Sequence, residues 1–588
     1  MKNILLLLHI YLFMCCTIPA LAQGETFAPK RIVNANTAAG RFRHPFAMTM
    51  GPSDSLWVTE RRGYITRIHT ISGEKKQLLQ LTGKVKFTTS GSGASMSIAQ
   101  DGMLGIALHP ELGKGTGHDF VYTAYCYDSS GIRRVRIVRF EYTKLPVPPF
   151  TDTLLHETVL LSGIPGSNDH NSGRLIIGNY GTAVMPDFKI VYTVGDQGAN
   201  QFSNACDSIE AQYLPTAGQL AAGNLRRYSG KILRLNLDGS IPADNPFFEG
   251  VQSHVWSYGH RNPQGLCIER NSSNEIVPNG RLYSSEQGPA CDDEINIIDS
   301  ANNYGWPRIS GLRDGVWYKY YQWSASGSCG SYPGECSATM TNFGLDEFSF
   351  NHPRLTAPIF DLYPGIPPGG TSCNWLSNPT VAPSSIAFYP FVNKIPGWQN
   401  SLLITTLKSS AMYRLKLNAA GNGALSVSDS VVQYFRDETA LNRFRDIVVS
   451  NDGLSFFILT DSVGATSGPS GSGVSVTDRG SVLEYKYTGT VLALNDNTPP
   501  QRNRVNTLKI YPNPANDVVL VDCRLDEGLP VQYIIYETSG RIVLKGSSIK
   551  NNFSIPLHTL NSGVYILQLI NKAGKNIATQ KIVVSRVK

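Results

Sequence analysis

Gly230-Lys231-Ile232-Leu233-Arg234-Leu235 is the phrase whose reading decides the fold of this chain. It is a short, mostly apolar run opened by glycine. Close variants recur as Gly63-Tyr64-Ile65-Thr66-Arg67-Ile68 and Ser410-Ala411-Met412-Tyr413-Arg414-Leu415. Runs of a second kind, Ser55–Glu60, Lys189–Val194 and Ser455–Thr460, end at or just before Glu, Gly or Asp. Runs of four to eight residues rich in β-branched and aromatic side chains, bounded by turn residues, read as strands. Strand pairs repeat over residues 24–490 with hardly a helical period. That predicts an all-β chain of the β-propeller type. The repeats are too degenerate to give the blade number.

The composition agrees. Of 588 residues, 41% are apolar and only 16% charged, so a large core is available and charge-driven disorder is excluded. With 55 glycines, 34 prolines and 27 tyrosines the chain is rich in turns. The net charge of +7 is spread out without a run of five like charges, which gives no support to a nucleic-acid partner. Residues 1–22 read as a signal peptide: Lys2, an apolar stretch from Ile4 to Met14, and a small-x-small site at Ala20-Leu21-Ala22. The mature chain is expected to start near Gln23, outside the cytoplasm. Ten cysteines include Cys15 and Cys16 of the signal. Cys329 and Cys336 flank a Gly/Pro turn and are the expected disulfide pair, and the absence of CxxC argues against a zinc or redox motif.

Near residue 490 the texture changes. Residues 491–504, with Asn495-Asp496-Asn497-Thr498-Pro499-Pro500, form a polar linker. Residues 505–588 alternate as the strands of a small β-sandwich: Leu508–Tyr511, Val518–Val521, Val531–Tyr536 and Gly563–Leu569. Tyr511-Pro512-Asn513-Pro514, Leu560-Asn561-Ser562-Gly563-Val564-Tyr565 and Lys581-Ile582-Val583-Val584 resemble the C-terminal sorting domain of type IX secretion. The resemblance implies a type IX machinery partner and a secreted or cell-surface product.

Residues 23–490 hold the candidate chemistry, as polar clusters at strand ends. Asn168-Asp169-His170-Asn171-Ser172-Gly173-Arg174 leads into the apolar run Leu175–Gly178 and sets a histidine beside a carboxylate at the mouth of a strand. Gln100-Asp101-Gly102, Gly195-Asp196-Gln197-Gly198, Gly259–Gly265, Ser285–Pro289, Asp292-Asp293-Glu294, Pro379–Ser385, Lys408 and Arg443–Asp446 are similar. Any one of them could be an ordinary turn or solvated charge. In a propeller, successive loops converge on one end of the channel. The set then supplies one base (His170) and several cations (Arg261, Lys408, Arg443, Arg445), which suit a polyanionic small ligand. Carbonyl-rich turns beside acids suit calcium.

Asn168–Arg174, Gly259–Gly265, Glu286–Glu294, Asn303-Tyr304-Gly305-Trp306-Pro307, Pro379–Ser385 and Asn442–Asp446 resemble the soluble quinoprotein glucose dehydrogenases of the glucose/sorbosone dehydrogenase family. The match runs over roughly residues 40–487. It implies a six-bladed β-propeller that binds pyrroloquinoline quinone (PQQ) and calcium and oxidises an aldose sugar at C1 to the lactone. By the same resemblance His170 is the general base, Asp169 orients and polarises it, and Gln100 binds the sugar. Arg261 lies near the quinone carbonyls. Asn262, Gln287, Thr380, Lys408, Arg443 and Arg445 hold the cofactor, the last three through its carboxylates. The carbonyls of Gly288 and Pro289 bind the active-site calcium. Glu294, Tyr304 and Asp314 fall at a structural calcium site. A histidine's ordinary pKa suits it to general base work at neutral pH.

The chain departs from the family beside the sugar. Asn378 replaces an aromatic before Pro379, Trp375 stands where a tyrosine is usual, and Asp101 replaces an asparagine. These changes leave the sugar's identity open, and the electron acceptor and homodimer formation are likewise unread. Two other readings compete: a non-catalytic calcium-binding propeller that binds glycans or a protein partner, and a lactonase-type hydrolase. Retention of His170 and of the Lys408/Arg443/Arg445 set favours the dehydrogenase.

Overall fold

The computed structural model describes residues 25–33, 40–90, 97–144, 152–200, 204, 207–289, 291–313, 347–362, 380–427, 429–436, 441–462, 477–489, 507–524, 531–537, 541–550, 552–570 and 576–586. The expected signal peptide, linker, Cys329–Cys336 pair, Trp375, Asn378 and Asp314 lie outside the described residues. The chain divides into two compact units, Met1–Ala493 and Leu494–Lys588.

Among the described residues of the first unit, six four-stranded antiparallel sheets follow one another along the chain. Their first, inner strands are Pro45–Gly51, Met103–Leu108, Ser172–Asn179, Pro263–Ile268, Pro383–Tyr389 and Phe444–Val449. Each inner strand packs against the inner strands of the sheets before and after it, and Phe444–Val449 returns to Pro45–Gly51, so the six close a ring. The quoted runs fall where expected: Tyr64–His69, Lys231–Asn236 and Met412–Lys416 are third strands of their sheets. The N-terminal strand Phe27–Arg31 supplies the outer edge of the last sheet, pairing Phe27 with Tyr487 and Arg31 with Leu483. The ring is therefore sealed by hydrogen bonds between the two ends of the unit.

Packing follows from this layout. The second strands Ser55–Glu60, Ser401–Thr406 and Ser455–Thr460 are buried at every residue, because neighbouring sheets cover both faces. Apolar layers fill the wedges between sheets instead of one central core. Met48, Leu56 and Val58 of the first sheet, for example, meet Phe457, Leu459 and Val482 of the last. What remains for the centre of the ring is polar.

Each of the six inner strands carries a register shift at its start, between Pro45/Ala47, Met103/Ile106, Ser172/Leu175, Pro263/Gly265, Pro383/Ser385 and Phe444/Asp446. A bulge bends the strand and re-aims the side chains ahead of it. Left-handed backbone at His44 (φ 61°), Gly102 (φ 102°), His170 (φ 42°) and Ala382 (φ 53°) accompanies these starts.

The second unit holds two sheets: Thr507–Tyr511, Val518–Arg524 and Asn552–Pro556 in one; Val531–Glu537, Ile542–Ser548, Gly563–Ile570 and Asn576–Val584 in the other. Val519, Val521 and Ile555 from the first share a core with Ile535, Leu567, Leu569 and Ile582 from the second. Alternating burial along Gly563–Ile570 matches the period of a half-buried strand.

Candidate active site

The starts of the inner strands are cross-linked by hydrogen bonds. Gln100 N–H donates to the Asn168 carbonyl at 2.8 Å. Ser172 Oγ donates to Asn262 Oδ1 at 3.0 Å, and Asn262 Nδ2 to Gln287 Oε1 at 3.2 Å. Gln287 Nε2 donates to the Pro383 carbonyl at 3.0 Å. Arg174 spans the ring: Nε reaches the Gln264 carbonyl at 3.0 Å, Nη2 the Ser384 carbonyl at 3.0 Å and Nη1 Asp446 at 2.6 Å. These links bring His170, Asp169, Gln100, Asn262 and Gln287 together at one end of the ring.

His170 is buried, at 5% exposure. Its loop is pinned by Asn171, whose Nδ2 donates to the Gln100 and Ser167 carbonyls at 2.9 and 2.7 Å. Gly195 passes so close that a Cβ there would stand 2.0 Å from the His170 carbonyl oxygen. The carboxylate that holds the imidazole is Asp196, with Oδ1 2.8 Å from Nδ1. Asp196 also accepts from Trp306 Nε1 at 2.9 Å and Gly198 N–H at 2.9 Å. Asp169, expected to orient and polarise the base, holds it from the other side: its Oδ1 accepts from His170 N–H at 3.0 Å and from Gln100 Nε2 at 2.5 Å, and stands 3.8 Å from His170 Nε2. The reason is topological. Ser172 pairs with Val194, so the end of the neighbouring strand delivers Asp196 to the inner nitrogen. With Nδ1–H donated to a carboxylate, a neutral imidazole carries its lone pair on Nε2, the side on which Asp169 and Gln100 stand.

Asp101 is spent elsewhere. It is fully buried, accepts from Thr88 N–H at 2.9 Å and Oγ1 at 2.7 Å, and pairs with Arg133 at 3.0 Å. Its carboxylate is thus committed to Thr88 and Arg133.

The arginine side of the site is positively charged. Arg445 Nη2 lies 2.6 Å and Arg443 Nε 3.4 Å from Asp461. Burial would raise the Asp461 carboxyl, but Arg445, Arg443 and Arg61 outweigh it and hold it at about 2. Burial pulls Arg443 down to about 10, and burial and Arg445 do the same to Arg61. Lys408, lowered by burial, donates to Thr380 Oγ1 at 2.8 Å. Arg443, Arg445 and Arg61 thus act on Asp461, with Asp101 as a further carboxylate near Arg61, and Arg445 Nε and Arg61 Nε are buried without a hydrogen-bond partner. Desolvated cations in excess of anions, with donors to spare, fit an anionic ligand bearing carboxylates.

Arg261 Nη1 donates to the Gln287 and Gly288 carbonyls at 3.1 and 2.9 Å, and its guanidinium lies 5.4 Å from the Trp306 ring centroid. Glu286 fixes this segment by accepting from the N–H groups of Arg261 and Asn262 and facing His260 Nδ1 at 3.0 Å. Asp293 does the same for the Gly288–Pro289 turn, accepting from Gly288 N–H at 3.1 Å, Val381 N–H at 2.6 Å and Ala382 N–H at 3.0 Å. Burial pushes its carboxyl up to about 6. The Gly288 carbonyl, expected on calcium, is thereby turned toward Arg261 by a buried acid.

Glu294 and Tyr304, assigned to a second calcium site, are not hydrogen-bonded to each other. Glu294 accepts from Gly311 N–H at 2.7 Å and Asn296 Nδ2 at 2.8 Å, and burial followed by Glu286 raises its carboxyl well above the usual range. The Tyr304 hydroxyl donates to the Ile297 carbonyl and accepts from Asp299 N–H at 2.9 Å.

The reading by sequence missed Asp196, Glu286, Asp293, Arg174 and Asp461 as site residues. Arg174, Asp196, Glu286 and Asp293 are buried charges inside quoted clusters and Asp461 directly follows the run Ser455–Thr460, but nothing in those stretches marks which charge aims a neighbour.

Comparison with known proteins follows this geometry. The family model for glucose / sorbosone dehydrogenase matches residues 42–325 and 359–467, and that for a secretion system C-terminal sorting domain matches residues 509–585. Quinoprotein glucose dehydrogenase B of Acinetobacter calcoaceticus is 35% identical over 491 residues, covering 80% of this chain and 92% of that one. Aldose sugar dehydrogenase YliI of Escherichia coli is 29% identical over 245 residues, covering 41% of this chain and 50% of its own. A solved glucose dehydrogenase superposes with a TM-score of 0.50 at 20% identity, over 79% of this chain and all of that one.

Proposed function

Because the chain belongs to the glucose/sorbosone dehydrogenase family and carries a C-terminal sorting domain, we propose that it is an exported, PQQ-dependent aldose dehydrogenase. It oxidises the C1 hydroxyl of an aldose to the lactone with His170 as general base. The ring of six sheets is read as a six-bladed β-propeller, and the second unit as a β-sandwich. The observations that support the proposal are the His170–Asp196 pair at the start of one inner strand, and the Arg443/Arg445 cluster on Asp461 at the start of another. The 35% identity to a quinoprotein glucose dehydrogenase supports the choice of cofactor.

PQQ, when bound, would supply a quinone as the hydride acceptor. Lys408, Arg443 and Arg445 would hold its carboxylates, and Asn262, Gln287 and Thr380 would complete the binding set. His170 Nε2 takes the hydroxyl proton as the hydride leaves. Asp196 keeps the imidazole in the tautomer that can do so and stabilises the imidazolium that results. Gln100 and Asp169, joined at 2.5 Å, bind the sugar hydroxyls beside Nε2. Arg261 stabilises negative charge developing on a nearby oxygen. The Gly288 and Pro289 carbonyls are assigned to calcium; Asp293 fixes the Gly288 N–H, and the Gly288 carbonyl, which accepts from Arg261 here, would have to exchange that donor for the ion. Glu294 and Tyr304 are assigned to a second calcium.

Export proceeds through a signal peptide at residues 1–22 and type IX recognition of residues 505–588. Reconstitution of the purified protein with PQQ and calcium, followed by dye reduction across a panel of aldoses, tests the activity. Saturable dye reduction with at least one aldose is expected. Absence of both PQQ binding and dye reduction would refute it.

A further inference from the structure

The inner strand that starts beside the sugar-binding end at Met103 finishes at Leu108, six residues or roughly 20 Å away. There His109, Glu111 and His118 come together. Among the described residues they are the group of three His, Cys, Asp or Glu side chains whose ligand atoms all lie within 4.8 Å of one another. The two imidazole rings stand 4.9 Å apart, centroid to centroid, at 34°. Glu111 Oε2 contacts His118 Nδ1 and accepts from Thr116 Oγ1 at 3.1 Å. His109 is fixed: it is 4% exposed, packs on Phe188 at 5.5 Å and accepts at Nδ1 from Glu111 N–H at 3.2 Å. His118 is half exposed and can move.

We propose that His109, Glu111 and His118 bind a divalent transition-metal ion of the zinc, nickel or copper class. Two imidazole nitrogens and one carboxylate oxygen are the donor set these ions prefer, whereas calcium takes oxygen ligands. Tetrahedral bonds of about 2.1 Å place donors ~3.4 Å apart, so the cluster closes on an ion by a rotation of the exposed His118. Without an ion, stacked imidazoles face one carboxylate; with one, all three donors converge on a positive charge. The fourth position is left to water or to a partner's side chain. An ion here ties the two ends of the 109–118 loop together at the end of the ring away from His170.

The test uses the full mature protein, purified without a polyhistidine tag, stripped with chelator and held in excess calcium. Zinc chloride is titrated calorimetrically. Wild type should take up one zinc that calcium does not displace, and His118→Gln and Glu111→Gln should each weaken it at least about tenfold. His156→Gln, which removes an exposed histidine paired with Glu141 at 2.8 Å, should leave the binding unchanged. Copper(II) electron paramagnetic resonance should report two nitrogen donors in wild type and one in His118→Gln. No zinc uptake by wild type, or equal affinity in His118→Gln, overturns the proposal. His118 is a surface residue far from the base, so dye reduction and circular dichroism unchanged in this variant confirm that the fold survives.

Discussion

Replacement of Asp196 by asparagine isolates the part of the site that the structure assigns most sharply. The side chain keeps its shape and loses its charge. Oδ1 of the aspartate accepts from His170 and from Gly198 N–H, and Oδ2 accepts from Trp306. An asparagine that keeps oxygen toward His170 turns its amide N–H against the Trp306 N–H. Flipped, it donates to Nδ1, forces the hydrogen onto Nε2 and removes the base. In either orientation the imidazolium formed during proton transfer loses its carboxylate. A hydrogen bond to a charged group is worth ~1.5–3 kcal/mol, and 1.36 kcal/mol is a factor of ten in rate. The expected loss in kcat is therefore about 10- to 150-fold, with PQQ retained because Asp196 does not touch the Lys408/Arg443/Arg445 set. The assay is dye reduction under saturating aldose, with bound quinone measured by absorbance and folding by thermal melt. Asp169→Asn is the comparison: it removes a carboxylate from the sugar side, so its main effect should be on KM. The reasoning is refuted if Asp196→Asn stays within about twofold of wild type, or if Asp169→Asn costs more in kcat.

Asp461 binds protons more weakly folded, at about 2, than unfolded, so its stabilisation is present above the ordinary carboxylate range and is lost as pH falls through about 2. Asp461→Asn should cost roughly 3–5 kcal/mol because Arg443 and Arg445 stay buried without a counter-charge, and PQQ should restore part of the melting temperature; an unchanged melt would count against the pairing. Gly288→Ala should abolish calcium-dependent PQQ binding, since a Cβ there would meet the Cys291 carbonyl oxygen at 1.8 Å; equilibrium dialysis with and without calcium measures it. Deleting residues 505–588 should leave kcat within about twofold, because each unit has its own core, while abolishing surface delivery in cell fractionation.

The residues differ in how far the sequence announced them. Strands such as Ser455–Thr460 were legible because burial on both faces demands a continuous apolar run, and the strand Phe444–Val449 that pairs with it lies one turn away. Phe27-Ala28-Pro29-Lys30-Arg31 was not: proline and two cations contradict strand propensity, and only pairing with residues 483–487 makes it one. The same divide runs through the site. His170, Arg443 and Arg445 sit in motifs that carry the family resemblance, and Lys408 is a single position that the resemblance picks out. Asp196 lies 26 residues from His170, and Gly195-Asp196-Gln197-Gly198 reads locally as a turn; its role exists only once Ser172 is set opposite Val194. Asp293 misleads in the opposite sense. Within Asp292-Asp293-Glu294 it looks like a calcium ligand, yet its oxygens are filled by three backbone N–H groups, and it acts by shaping the turn whose carbonyls face the site. Sequence thus exposes the groups that meet the ligand, because their chemistry is specific. It hides the carboxylates that aim them, because a buried acid accepting backbone hydrogen bonds can be supplied from any strand that ends nearby. The bulge repeated at all six inner-strand starts is what makes that supply dense at one end of the ring. The aiming carboxylates are therefore to be sought among the acids one to three residues beyond a second strand, where Asp196 and Asp461 both stand.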